Sequence, residues 1–200
     1  MMLSIKMQNY LNQLFKVFAM ESFTAFVLKC FYLMLPAYFA NMAPVIVKKI
    51  NLFKFPVDFG KQINDKPIFG KNKTFRGLIF GIIFAILIAY VQFLLQQNEF
   101  FNNISFIKYN NWLLFGFLMG LGALTGDLVK SFFKRRLGIK PGEKFVPFDQ
   151  MDFVVGALIL IMPIFVVTLK IFIVSLILSF ALHIIVNHLA FYLEVRNEKW

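Results

Sequence analysis

The strongest constraint on this chain is a series of apolar runs that are long enough to cross a lipid bilayer. A helix that rises about 1.5 Å per residue needs roughly 20 residues to cross a hydrocarbon core of about 30 Å. The run from Gly77 to Leu95 is apolar apart from Tyr90 and Gln92. Because 60% of the 200 residues are hydrophobic and 16% are charged, a soluble surface could not be built from what remains. We predict an integral membrane protein.

Two more runs each predict one further helix. Trp112 to Val129 is apolar until Asp127, close to its end. Phe23 to Val47 is less uniform, because Pro36 and Pro44 interrupt it. A helix with two prolines should be kinked or broken, which a bundle tolerates where neighbouring helices satisfy the freed backbone groups.

The last apolar run, from Phe153 to Leu193, is too long for one crossing. We predict two helices there, the first bent at Pro163 and the turn between them near Thr168–Lys170. The predicted fold class is therefore all-α, a polytopic membrane protein with about five transmembrane helices in residues 21–200. Residues 1–20 form an amphipathic extension, and we expect residues 1–19 to be a helix lying in the membrane interface.

The basic residues give the predicted bundle an orientation. The formal net charge is +11, and eight Lys or Arg lie between Lys48 and Arg76 and six between Lys130 and Lys144. With five alternating helices, both segments fall on one side of the membrane. The positive-inside rule places that side in the cytoplasm, so we predict a multi-pass protein of the cell membrane. This explanation of the charge is favoured over nucleic-acid binding.

Three carboxylates could meet on that side. Asp127 lies near the end of the third predicted helix, and Asp149 and Asp152 lie three residues apart at the start of the fourth. Oxygen ligands of this kind suit Mg²⁺ together with phosphate groups. Cations able to hold phosphates lie nearby, namely Lys130, Lys134, Arg135 and Lys140. The combination favours phosphoryl or nucleotidyl transfer.

Simpler explanations exist for each feature alone. A basic run after an apolar helix is usually a topological anchor, and Asp149 could merely cap a helix. Asp127 is harder to explain in that way, because an ionisable group within an apolar segment is costly. The first basic loop, with glycines beside Lys71, Lys73 and Arg76, could present N–H groups to a phosphate or could simply be solvated.

Several motifs in the same order make the chain similar to a known family. They are Leu35 to Pro44, Asp58-Phe59-Gly60-Lys61, Phe69 to Gly77, Gly126-Asp127 with Lys130-Ser131 and Lys134-Arg135-Arg136, Gly138 to Gly142, and Pro147 to Asp152. The chain resembles the CDP-archaeol synthases of the membrane CTP:phosphatidate cytidylyltransferase superfamily, over almost all of residues 33–200. Gln150, where related diacylglycerol enzymes have Arg, favours the archaeol branch.

The resemblance implies a Mg²⁺-dependent enzyme that transfers CMP from CTP to a lipid phosphate, giving a CDP-lipid and pyrophosphate. Its partners would be CTP, an isoprenoid or phosphatidate-like lipid phosphate and the bilayer, without nucleic acid. The implied catalytic residues are Asp127, Lys130, Lys134, Arg135, Asp149 and Asp152. The implied nucleotide- and phosphate-binding residues are Asp58, Lys71, Lys73, Thr74, Arg76, Ser131 and Lys140. Asp127, Asp149 and Asp152 would be the metal ligands.

Two other functions would share a basic membrane face. A small carrier or channel for anionic solutes needs polar residues through several helices, and Gly77–Leu95 and Phe153–Leu169 contain almost none. A non-catalytic membrane scaffold leaves the three grouped aspartates unexplained. We therefore expect the transferase, with the carrier as the alternative.

Overall fold

The computed structural model describes residues 22–140, 143 and 145–192, so the helix expected in residues 1–19 lies outside the described residues. Five long helices and one short helix make up most of this part. In chain order they are α1 (Phe23–Ile46), α2 (Phe75–Leu95), the short α3 (Glu99–Asn103), α4 (Trp112–Arg136), α5 (Phe148–Ile161) and α6 (Leu169–Tyr192). A two-stranded antiparallel hairpin, β1 (Gln62–Ile63) and β2 (Lys66–Pro67), lies in the loop between α1 and α2.

The all-α membrane fold is confirmed. Four segments are long and apolar enough to span a bilayer, namely Phe23–Lys49, Phe75–Leu95, Tyr109–Arg136 and Leu169–Val186. The remaining long helix, α5, has 14 residues and is about 21 Å long at 1.5 Å per residue. It is therefore shorter than the hydrocarbon core. Its amino-terminal turn, with Asp149 and Asp152, packs closely against the longer α4.

The first helix is continuous through both prolines, so the expected break is absent from α1. Pro36 has no N–H, which leaves the carbonyl oxygen of Tyr32 without its partner in the helix. Gln92 of α2 fills that place, because its Nε2 donates to the Tyr32 oxygen at 2.6 Å. The single amide side chain in the most apolar helix therefore ties α2 to α1 at the proline.

The prediction that Pro163 bends a helix is wrong. The helix α5 ends at Ile161, because Pro163 has no N–H with which to continue the helical hydrogen bonds. The turn occupies residues 162–168, and Thr168 begins the last helix by accepting the N–H of Ile171 at 3.3 Å. The turn therefore lies a few residues earlier than Thr168–Lys170.

Glycines let α4 and α5 approach until their backbones touch. A Cβ atom on Gly156 would lie 2.1 Å from the carbonyl oxygen of Gly122, and one on Gly126 would lie 2.2 Å from the carbonyl oxygen of Asp152. Small residues permit this close packing between membrane helices. Because Asp127 follows Gly126 directly, the contact brings Asp127 next to the first turn of α5.

Replacing Gly156 with alanine should separate α4 from α5. The added methyl group meets backbone atoms that cannot move aside, so we expect the variant to lose about 1–3 kcal/mol of stability. Gly77→Ala is the matched control, since its methyl group meets side-chain atoms alone, the Pro44 ring at 3.2 Å and the Thr74 hydroxyl at 3.7 Å. Thermal unfolding in detergent should show a lower midpoint for Gly156→Ala than for Gly77→Ala, and equal midpoints would contradict the close packing.

Candidate active site

The side chain of Lys130 is the centre of the cluster of charges at one end of the bundle. Its ammonium nitrogen lies 3.0 Å from Asp127 Oδ1, 3.1 Å from Asp149 Oδ1 and 2.9 Å from Asp152 Oδ2. All three carboxylates therefore lie within about 6 Å of one another, as twice a 3.1 Å ion-pair distance requires. The predicted convergence of acidic groups from two helix ends is present in the structure.

Two more lysines complete the cluster. Lys73, from the loop before α2, forms an ion pair with Asp127. Lys134 lies 3.1 Å from both oxygens of Asp149 and also donates to the backbone oxygen of Glu143 at 2.5 Å. Three carboxylates thus face three ammonium groups. Charges this far from water are tolerated only when they are paired in this way.

The local structure of α4 explains the arrangement of its residues. Asp127, Lys130 and Lys134 are three and four positions apart, so they share one face of the helix. The helix ends where Gly138 adopts φ +79°, with the N–H of Ile139 donating to the oxygen of Lys134 at 3.0 Å. A glycine with positive φ is a common way for a helix to end.

A polar cavity of about 270 Å³ adjoins the cluster. Its lining residues are Phe69, Gly70, Asn72, Lys73, Lys130, Ser131, Lys134, Arg135, Glu143 and Asp149. The Arg135 side chain is only 7% exposed, and its Nε and Nη1 have no hydrogen-bond acceptor among the described residues. A buried guanidinium with unused donors is suited to a planar or phosphate anion.

A second, apolar cavity of about 680 Å³ lies between α4 and α5. Its lining residues are Thr125, Gly126, Val129, Lys130, Phe133, Leu137, Phe145, Phe148, Met151, Asp152, Val155, Gly156, Ile159 and Leu160. Val129, Phe133 and Ile159 are exposed on the outside of the bundle, so this groove is open on the side that lipid would cover. Lys130 lines both cavities, and Asp152 lies where the groove reaches the charged cluster.

The first basic loop supplies one wall of the polar cavity, and Asp58 holds that wall in place. Its carboxylate accepts N–H groups of Gly60 at 3.0 Å, Phe69 at 2.9 Å and Gly70 at 3.0 Å. Burial would raise the pKa of Asp58, but these backbone hydrogen bonds outweigh it and lower the pKa below the ordinary value. Asp58 therefore acts on Phe69 and Gly70, which line the cavity.

The remaining predicted residues have different surroundings. Ser131 lines the polar cavity. Thr74 begins α2 by accepting the N–H of Gly77 at 3.3 Å, and Arg76 donates to the oxygen of Ile50 at 2.5 Å. Lys71 and Lys140 are exposed and lie outside the cavity lining. The structure thus gathers the residues of α4 and α5 with Lys73, while these loop side chains support the backbone or face outward.

The fit of the carboxylates to a metal ion depends on Lys130. In the part of the chain that the structure describes, no group of three or more Asp, Glu, His or Cys side chains is already arranged as a metal site. The three aspartates share one ammonium ion instead, and neither oxygen of the buried Asp152 carboxylate has a hydrogen-bond donor of good geometry among the described residues. The donor chemistry fits a hard divalent cation if Lys130 moves aside.

Some of the residues that build the site were not predicted. Arg136 donates to the backbone oxygens of Ile63, Lys66 and Pro67 at 2.6–3.0 Å, which fastens the hairpin to the end of α4. Sequence alone gives a run of basic residues and no reason to assign one of them to this contact. The close α4–α5 contact had a visible signal, since Gly122 and Gly126 are four residues apart in an apolar helix.

Comparisons with known proteins agree with this architecture. A family model described as CarS-like CDP-archaeol synthase matches residues 23–200. A CDP-archaeol synthase of Archaeoglobus fulgidus is 34% identical over 179 residues, covering 87% of this chain and 98% of its own. The corresponding protein of Pyrococcus furiosus is 34% identical over 175 residues, with the same shares covered.

A solved structure shares the fold as well as the sequence pattern. It is described as an intramembrane enzyme for archaeal membrane lipid biosynthesis, and it is 30% identical to this chain. The two superpose with a TM-score of 0.65, over 78% of this chain and 90% of the other. On the family model and on these relatives, the chain belongs to the CDP-archaeol synthase family.

Proposed function

We propose that this protein transfers CMP from CTP to a lipid phosphate and so forms a CDP-lipid and pyrophosphate. The observation that carries the proposal is the meeting of a polar cavity and an apolar groove at Lys130, beside three carboxylates. A reaction between a water-soluble nucleotide and a membrane lipid needs such a pair of neighbouring sites. Family membership supports the same chemistry, since the relatives are named CDP-archaeol synthases.

In the proposed reaction, an oxygen of the lipid phosphate attacks the α-phosphorus of CTP. A bond forms between that oxygen and phosphorus, and the bond from the α-phosphorus to the bridging oxygen breaks, with its electron pair leaving on pyrophosphate. Such transfers depend mainly on positioning and on neutralising phosphate charge. Lys73, Lys130, Lys134 and Arg135 surround the polar cavity and would bind the triphosphate. A phosphomonoester is already largely ionised near pH 7, so little proton transfer is needed.

A magnesium ion completes the proposal. Bound between Asp127, Asp149 and Asp152, it would supply charge neutralisation for the phosphate oxygens. The ammonium groups of Lys130, Lys73 and Lys134, which now neutralise these carboxylates, would then be available to the substrate phosphates. The aspartates thus hold either cation, and the lysines remain within reach of the polar cavity.

We also propose that the site faces the cytoplasm of the cell membrane. The polar cavity lies between the two strongly basic segments, which the positive-inside rule places on that side. CTP is made in the cytoplasm, which fits this orientation. The alternative of an anion carrier is less well supported, because the buried amide of α2, Gln92, is engaged with the Tyr32 carbonyl within the bundle.

Replacing Asp152 with asparagine should abolish CDP-lipid formation. The change removes one negative charge from the cluster at the junction of both cavities. We expect the rate of CDP-lipid formation to fall by a factor of about 100 or more. The measurement is conversion of labelled CTP to labelled lipid by purified protein in vesicles, with an isoprenoid-ether glycerol phosphate and an acyl phosphatidate compared as acceptors. Asp65→Asn, at the exposed turn of the hairpin, is the matched control and should keep full activity. Wild-type turnover in Asp152→Asn would exclude this site.

Filling the apolar groove should weaken the binding of the lipid phosphate and leave the binding of CTP unchanged. We expect Val155→Trp, within the groove, to raise the KM for the lipid phosphate about tenfold and to leave the KM for CTP unchanged, as expected when binding of one substrate alone is lost. Ile177→Trp, on the exposed face of α6, adds the same bulk elsewhere and should change neither constant. A selective rise in the KM for CTP would contradict the assignment of the two cavities.

A further inference from the structure

We propose that residues 48–61, here called the loop anchor, insert aromatic side chains into the bilayer surface and bind its anionic headgroups. The loop anchor lies outside the catalytic cluster, and the inference does not depend on the proposed reaction. Its partner is the membrane surface itself, a layer of anionic lipid headgroups. Four observations support this assignment, and each concerns a different property of the segment.

The first observation is exposure of large apolar side chains. Phe55 and Phe59 are 65% and 69% exposed, and Leu52 and Phe53 are exposed as well. Scattered apolar residues are normal on a protein surface, but these four lie within eight residues of one loop. Aromatic rings of this kind favour the interface between water and hydrocarbon.

The second observation is the backbone conformation. Phe53 and Phe59 both adopt φ +50°, a left-handed geometry that bulky side chains rarely adopt. Asn64 and Asp65 in the hairpin turn have similar φ values, but their residue types tolerate that geometry. A strained backbone that directs phenylalanine rings outward is explained if the rings gain contacts outside the protein.

The third observation is position relative to the membrane. The loop anchor begins at the end of one predicted span, Phe23–Lys49, and the same loop ends where the next span begins at Phe75. Phe53 and Phe55 are only four and six residues beyond Lys49, so at about 3.3 Å per residue they lie within roughly 13 and 20 Å of the end of that span. Phe59 also packs against Phe75, with ring centroids 5.3 Å apart, at the first residue of α2.

The fourth observation is charge. Lys48, Lys49, Lys54 and Lys61 are exposed in the same segment. The one acidic residue among them, Asp58, is turned inward and accepts three backbone N–H groups. The outer surface of the loop anchor is therefore positive as well as aromatic, which matches an anionic lipid surface.

Hydrogen bonds connect the loop anchor to the segment that carries Lys73. The N–H of Val57 donates to the oxygen of Lys73 at 2.8 Å, and the N–H of Phe75 donates to the oxygen of Phe55 at 3.0 Å. The N–H of Arg76 donates to the oxygen of Phe53 at 2.8 Å. Because these bonds are made at Lys73 itself and at the two residues Phe75 and Arg76 after it, the depth of the loop anchor in the bilayer sets the height of that lysine.

The test uses tryptophan as a depth probe in the full-length protein. In a background with Trp112→Phe and Trp200→Phe, the Phe55→Trp variant is placed in vesicles that contain equimolar phosphatidylglycerol and phosphatidylcholine. Its fluorescence should be quenched strongly by lipids brominated on the acyl chain and weakly by aqueous acrylamide. Gln62→Trp, at the exposed start of the hairpin, is the matched control and should show the opposite pattern. Equal access of acrylamide to both probes would overturn the proposal.

The electrostatic part is tested with the same probe. Moving Phe55→Trp protein from mixed vesicles to pure phosphatidylcholine should reduce brominated-lipid quenching by about twofold or more, since each lysine near an anionic surface contributes to binding. Adding Lys48→Gln, Lys49→Gln, Lys54→Gln and Lys61→Gln should remove that difference between vesicles. Quenching that is the same in both vesicles without the lysine changes would refute the headgroup contact.

Discussion

The contact between one ammonium group and three carboxylates is the interaction on which the site depends. Lys130 reaches Asp127, Asp149 and Asp152 at 2.9–3.1 Å, while its own side chain is largely buried. Carboxylates at such separations repel one another, and removing one partner of a buried ion pair typically costs about 3–5 kcal/mol. The cluster is therefore stable only while a cation remains between the aspartates, and in the proposed mechanism a divalent cation takes the place of the lysines.

Close packing of two helices makes that contact possible. The glycines of α4 and α5 bring the two backbones together at Gly122, Gly126 and Gly156. The same approach places the apolar groove, which lies between these helices, directly against the charged cluster. The glycines at this interface thus determine both the spacing of the aspartates and the route from lipid to the polar cavity.

The short length of α5 is a second feature that positions the site. With 14 residues it is too short to cross a hydrocarbon core of about 30 Å by itself, and its first turn carries Asp149 and Asp152 into the charged cluster. The two cavities meet at Lys130, beside that first turn. A lipid whose tails lie in the groove would present its phosphate to the polar cavity without leaving the bilayer.

Much of the fold followed from hydropathy, because a bilayer leaves a chain few ways to satisfy its backbone. The runs at Gly77–Leu95 and Trp112–Val129 became α2 and α4. The helix α2 begins two residues before its apolar run because Thr74 caps it, and α4 continues beyond its run to Arg136, just before the glycine stop at Gly138. The turn after α5 was predicted too late in the chain, near Thr168–Lys170, because a proline such as Pro163 can end a helix or bend it and local sequence does not distinguish the two.

The grouping of the three aspartates was also predictable, because polar residues at helix ends on the same side of a membrane are confined to one small region. Sequence could not show that Lys130 would lie between them, because that depends on the depth of the α4–α5 contact. Nor could it show that Asp58 and Arg136 would bind backbone groups of the first loop. Charged residues in loops have many available partners, and only the folded chain selects among them.

The proposal that Asp127, Asp149 and Asp152 share one cation is tested most directly by measuring metal binding in the absence of turnover. Electron paramagnetic resonance of Mn²⁺, a substitute for Mg²⁺, should detect an ion bound to the purified wild-type protein. Asp127→Asn, from α4, and Asp152→Asn, from α5, should each lose that binding, because the ion needs carboxylates from both helices. Mn²⁺ binding of wild-type strength in both variants would show that the three aspartates do not share an ion and would contradict the account.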